Sequence, residues 1–151
     1  MQTTHTAWGL PDPDREAEFY QDVPTKRLIA WVIDTILTAL ITALIVVLGV
    51  FIPLLILPLV FLTVNFIYRT VSLSRNSATP GMRLAAIEFR TNNGERFDLS
   101  MALLHTAGFL FSVSLVFPQV ISVILMLTGA RAQGLTDLVL GCAAINRSAR
   151  F

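Results

Sequence analysis

Two long stretches without formal charge, residues 35 to 68 and 101 to 130, dominate the pattern of this chain. Each exceeds the roughly 20 residues that a helix needs to cross a bilayer. The first is too long for one helix and too short for three, and Gly49, Pro53 and Pro58 punctuate its middle. It predicts two antiparallel helices, over about residues 26 to 50 and 53 to 72, with Trp31 and Tyr68 at the same membrane face, where aromatic rings favour the interface. The second stretch admits two readings. It is one long helix kinked at Pro118, or two short helices folded back at Phe117-Pro118. The fold-back is favoured, because Arg131, Arg147 and Arg150 place the end of the chain in the cytoplasm. Residues 142 to 146 read as a short strand on that same side.

The polar segments fix orientation. Residues 69 to 100 carry Arg69, Arg75, Arg83, Arg90 and Arg96 against Glu88, Glu95 and Asp98, and Lys26 with Arg27 precedes the first span. The positive-inside rule puts both segments in the cytoplasm. Thr79-Pro80-Gly81 is a turn signal, and residues 83 to 90 and 95 to 99 flank Asn92-Asn93-Gly94, a common hairpin connection. A small cytoplasmic β-hairpin is expected over residues 82 to 99, with residues 142 to 147 as a further strand. Asp98 or Ser100 then caps the helix that re-enters the membrane.

Composition agrees with this pattern. With 54% hydrophobic and 14% charged residues among 151, the chain is too apolar for an ordinary soluble domain. The expected fold class is an α-helical integral membrane protein with three to four short transmembrane or re-entrant helices and a small cytoplasmic β-hairpin. Residues 1 to 22 read as a flexible or surface-lying acidic tail without the basic start of a cleaved secretory signal. Residues 23 to 148 form the membrane domain. A single cysteine excludes an intrachain disulfide.

The candidate chemistry centres on Asp34, which follows Arg27 by two helical turns on the same face. A carboxylate near mid-bilayer costs roughly 2.5 to 3.5 kcal/mol on insertion scales, so it needs a partner, a proton or water. Thr38 and Thr42 continue its stripe at four-residue spacing, an edge that should face protein or water rather than lipid. Asn65 on the second helix is the first expected partner of Asp34, at similar depth. In one reading these groups line a cation or proton site. In the other, Asp34 is neutralised by Arg27 or Arg69 and fixes helix packing. His105 lies near the interface, as an interfacial hydrogen-bonding group or as a proton shuttle. Asp137 is placed to approach Arg27 or Arg83 and clamp the C-terminal segment, or to be a surface charge near a turn. Cys142 has no Cys or His nearby in sequence, so neither a metal site nor a thiol nucleophile is expected. No catalytic or cofactor fingerprint is present in the sequence, and enzyme is the least favoured class.

The run Arg27-Leu28-Ile29-Ala30-Trp31-Val32-Ile33-Asp34, then Ala78-Thr79-Pro80-Gly81-Met82-Arg83-Leu84, then Gln133-Gly134-Leu135-Thr136-Asp137 through Gly141, resembles the RDD family of membrane proteins. The resemblance covers about residues 24 to 147. It implies that Arg27, Asp34 and Asp137 are the arginine and two aspartates for which the family is named. Met82, His105 and Cys142 depart from the residues usual in the family at those places. The resemblance further implies a small membrane domain for which transport, cation and proton exchange, or assembly roles have been proposed.

Two functions follow as expectations. One is a transporter or exchanger of a small cation coupled to protons, working as a homo-oligomer, with Asp34 carrying the ion. The other is a non-transporting accessory or assembly factor for a larger membrane complex. Either would sit in the cytoplasmic (inner) membrane of a bacterium with the N-terminus inside. The expected partners are the lipid bilayer and a second copy or another membrane protein, not nucleic acid.

Overall fold

The computed structural model describes residues 9–147, with the side chains of residues 52 and 53 left out. The apolar stretches become helices. α1 (Val23–Leu48) and α2 (Leu57–Asn76) each carry a proline in the first turn, where a missing N–H leaves no hydrogen bond unmade. A short 3-10 segment, Ile52–Ile56, links them. Both helices are long and apolar enough to cross a membrane. On α1, Ala30, Asp34, Thr38, Thr42 and Val46 form a buried row at four-residue spacing, while Ile36, Leu40, Leu44 and Leu48 form an exposed one. That division is what a helix between protein and lipid requires.

After α2 the chain makes a five-residue helix, α3 (Pro80–Leu84), and a strand, β1 (Ile87–Thr91). Thr79 caps α3 by accepting from the Met82 N–H at 3.2 Å, and Pro80 takes the first helical position. The expected turn is therefore a helix start, and the strand begins at Ile87 rather than at Arg83. Asp98 accepts from the Met101 N–H at 2.7 Å and opens α4 (Leu99–Ser114).

α4 and α5 (Val116–Thr128) are two helices bent by 112° at Leu115, a broken span or re-entrant pair. The break falls before Phe117-Pro118, because Pro118 sits in the first turn of α5 and starts that helix rather than ending the one before. A final short helix, α6 (Leu135–Leu140), ends at Gly141 in a left-handed conformation with φ +66°, and β2 (Cys142–Asn146) follows at once.

β1 and β2 pair antiparallel, with Phe89 opposite Ala144 and Ile87 opposite Asn146. The small sheet is thus present, and the partner of β1 is the C-terminal strand rather than residues 95 to 99. Asn92-Asn93-Gly94 still turns the chain, with the Gly94 N–H donating to the Thr91 carbonyl at 2.9 Å. Beyond it, Phe97 enters the core and Asp98 caps α4, so no return strand forms. The core, with Val23, Leu73, Met82, Ile87, Phe89 and Phe97 among its members, lies at this end of the helices.

Residues 1–8 and 148–151 lie outside the described residues, so the expected tail can be followed only over 9–22. There Leu10 and Tyr20 are buried against Ala143 and Ile145 of β2. The Asn146 amide donates to the carbonyls of Glu18 and Gln21, each at 2.8 Å, and accepts from Lys26 Nζ at 2.7 Å. Of the two readings of this segment, flexible or surface-lying, residues 9–22 follow the second, docked on the sheet by two apolar anchors and Asn146.

Candidate functional site

Asp34 lies 6% exposed on α1, and three donors converge on it. The Tyr68 hydroxyl and the Gly81 N–H donate to Oδ1 at 2.7 and 2.8 Å, and the Thr79 hydroxyl donates to Oδ2. One carboxylate therefore ties α1 to α2 and to the start of α3. Gly81 is required by this closeness: a Cβ there would stand 2.3 Å from the Ala30 carbonyl oxygen and 2.8 Å from Asp34 Oδ1. Gly81→Ala is expected to push α3 off α1 and destabilise the protein by about 1–3 kcal/mol, the usual range for overpacking. An unchanged unfolding midpoint in detergent would refute this close approach.

The second acid, Asp137, is completely buried at the third position of α6. Its Oδ2 accepts from the Arg27 guanidinium and, at 2.9 Å, from the Gly134 N–H, which is half of a capping box. Its Oδ1 accepts from His105 Nε2 at 2.7 Å and faces the Cys142 thiol at 3.9 Å. Burial pushes this carboxyl up, but Arg27 and His105 outweigh it and hold the group well below the usual carboxylate range. Burial and the neighbouring Asp137 push the Cys142 thiol above its usual range. Arg27 also lies over the Phe89 ring at 5.2 Å, and His105 stands 4.4 Å from the same ring.

His105, Asp137 and Cys142 bring ligand atoms within 4.8 Å of one another, a juxtaposition that sequence spacing concealed. The ring and the thiol both donate to one carboxylate oxygen while Arg27 holds the other. A metal ion there would have to displace the ring and thiol protons that now lie on Oδ1, and with those protons in place the arrangement is a hydrogen-bonded clamp joining α1, α4, α6 and β2.

Both knots border one cavity of about 530 Å³. Arg27, Asp34, Arg69, His105, Ser112, Gln119, Ser122 and Asp137 supply its polar groups. The sequence offers Arg69 as a neutraliser of Asp34 and as one of the arginines that set orientation. It is 8% exposed, and its guanidinium lies 3.8 Å from the centre of the Phe109 ring. Its Nε has no hydrogen-bond partner, and none of the ion pairs among the described residues includes it.

The sequence-derived candidates thus divide. Arg27 and Asp137 meet, as the clamp reading expects, and Arg83 is exposed instead. Asp34 is partnered by neither Arg27 nor Asn65. Asn65 is half-buried and lies one turn before Tyr68, which makes the contact in its place. Thr38 and Thr42 are buried, but their hydroxyls donate to carbonyls one turn back, at 2.8 Å each, and neither lines the cavity. Tyr68, Thr79 and Gly81 went unrecognised as partners of Asp34. The one available signal was that an N-capping threonine has a hydroxyl proton left to donate.

Two helices of spanning length, a bent apolar pair and a row of lipid-compatible side chains define an integral membrane protein. The family model described as RDD family matches residues 23–141, and the chain belongs to that family. No curated protein and no solved structure matches it.

Proposed function

We propose that this chain is a non-transporting accessory protein of a bacterial cytoplasmic membrane, multi-pass, with both ends of its membrane domain inside, which acts by binding rather than by exchanging cations or by catalysis. The observation that carries this reading is the state of the two acids. Asp34 accepts from three donors and Asp137 from Arg27, His105 and Gly134, so every oxygen of both acids is already engaged by the protein. A carboxylate that fixes three elements is poorly suited to release and rebind its ligand at each turn of a transport cycle. The exchange reading keeps one observation in its favour, since Asp34, His105 and Asp137 border a common cavity.

Proteoliposomes loaded with a pH-sensitive dye separate the two. The expected result is no proton flux above empty vesicles on addition of Na⁺, K⁺ or Li⁺, from protein whose circular dichroism shows it folded. Cation-dependent flux that disappears in a folded Asp34→Asn variant would establish exchange and end the accessory reading.

A further inference from the structure

We propose that the cavity bounded by α1, α2, α4 and α5 binds one anionic amphiphile, with its carboxylate or phosphate head on Arg69 and its hydrocarbon part along the apolar wall. The proposal goes beyond an accessory role and does not depend on it.

The argument begins with the charge left over. Four ionisable side chains of opposite sign line the cavity, Arg27 and Arg69 with Asp34 and Asp137, and His105 joins them. Arg27 is paired with Asp137, and every oxygen of the two acids already accepts a hydrogen bond from a donor named above. Asp34 lies beyond ion-pair distance of Arg69, leaving the Arg69 guanidinium without an acid of its own. An arginine that is 8% exposed, with its buried Nε unpartnered, is costly unless something completes it. Its planar fork of donors matches the oxygens of a carboxylate or phosphate. The Phe109 ring at 3.8 Å holds the plane from one side and leaves its edge for such a head.

His105 adds a second unpartnered polar atom on the cavity's lining, Nδ1. Its other nitrogen, Nε2, faces the Asp137 carboxylate and carries the proton between them. The rest of the wall decides the ligand's other half. Leu28, Trp31, Val113, Val123, Met126 and Leu127 make it predominantly apolar. A free inorganic anion would satisfy Arg69 and leave that wall against water. A chain of methylenes would cover it, and about 530 Å³ is within the usual range of roughly 300–1,000 Å³ for small-molecule sites.

Native mass spectrometry of the purified full chain tests this with oleate and dioleoyl phosphatidic acid as probes. Dioleoyl phosphatidylcholine and inorganic phosphate serve as comparators. The expected result is one oleate or phosphatidic acid per chain, bound at least tenfold more weakly by Arg69→Gln. Arg83→Gln, at an exposed arginine outside the cavity, should bind as the unaltered chain does. Val123→Trp fills the cavity from α5 and leaves the Arg69 residue unaltered, and it should reduce binding as strongly. It decides the matter alone if Arg69→Gln does not fold. Equal binding of phosphatidylcholine, or binding unchanged by a folded Arg69→Gln or Val123→Trp, would overturn the site. Inorganic phosphate binding as tightly as the lipids would overturn its amphiphilic character, and binding of neither lipid would overturn the proposal entirely.

Discussion

Asp137→Asn is expected to remove about 3–5 kcal/mol of stability, the usual consequence of breaking one side of a buried ion pair. The reason is geometric. Arg27 has a side chain only 15% exposed and stays in the core when its acid is gone. The asparagine amide would also turn a donor toward one of the groups, His105 or the Gly134 N–H, that now donate to the carboxylate. Arg27→Met alone strands the acid and should cost a similar amount. The double variant removes both charges and should be more stable than the sum of the single losses predicts, by about 0.5–3 kcal/mol of coupling. Thermal or denaturant unfolding in detergent reads all three, and strictly additive losses would mean that the two residues do not act as a pair.

The same clamp sets a pH dependence. Asp137 has its pKa lowered in the folded protein, so in acid the unfolded chain binds a proton that the folded one refuses. Its contribution is fully present above the ordinary carboxylate range near pH 4 and is lost as pH falls toward the folded value. Asp137→Asn should flatten this part of the acid limb, while an unaltered limb would assign the dependence to other groups.

The second large effect concerns Asp34→Ala, which is expected to destabilise by about 3–5 kcal/mol, because each buried donor left without a partner costs roughly 1–3 kcal/mol, and two buried donors and the part-buried Tyr68 hydroxyl are affected. Tyr68, Thr79 and the Gly81 N–H would all lose their acceptor. Asp34→Asn should cost less, since its carbonyl oxygen can still accept from Tyr68 and Gly81. Its amide would then meet the Thr79 hydroxyl, which already accepts from Met82 and would lose the acceptor for its own proton. Hydrogen exchange gives the local readout. The amides of residues 81–85 should exchange faster in both variants, and protection equal to that of the unaltered chain would show that Asp34 does not hold α3.

The two knots differ in how readable they were. Arg27 and Asp137 lie far apart in sequence, yet charge in an apolar setting leaves few possible partners, so the pairing stood among those expected. The partners of Asp34 were hidden because helical spacing relates only residues on one helix. Thr79 is 45 positions away and Tyr68 was assigned to the membrane interface for its ring rather than for its hydroxyl. The strand over residues 142 to 146 was legible from its composition, while its pairing was obscured by the strong local turn at Asn92-Asn93-Gly94. Packing of Phe97 against Phe89 across this turn, with ring centres 5.3 Å apart, draws that segment into the core instead of along the sheet. The unpaired state of Arg69 could not be read at all, because the sequence offered two aspartates for two arginines and only geometry shows that one acid is tied up by neutral donors.

The order in which the pieces leave the ribosome gives the β1–β2 pairing a further meaning. Arg27 and β1 are made long before Asp137 and β2, so a nascent chain that ends near residue 130 can already have its apolar helices in the lipid while Arg27 lacks its acid and β1 presents an open edge. The last short segment thus works as a latch: until it arrives the inserted chain stays marked by an unsatisfied charge and a bare strand, and its arrival erases both marks in a single step.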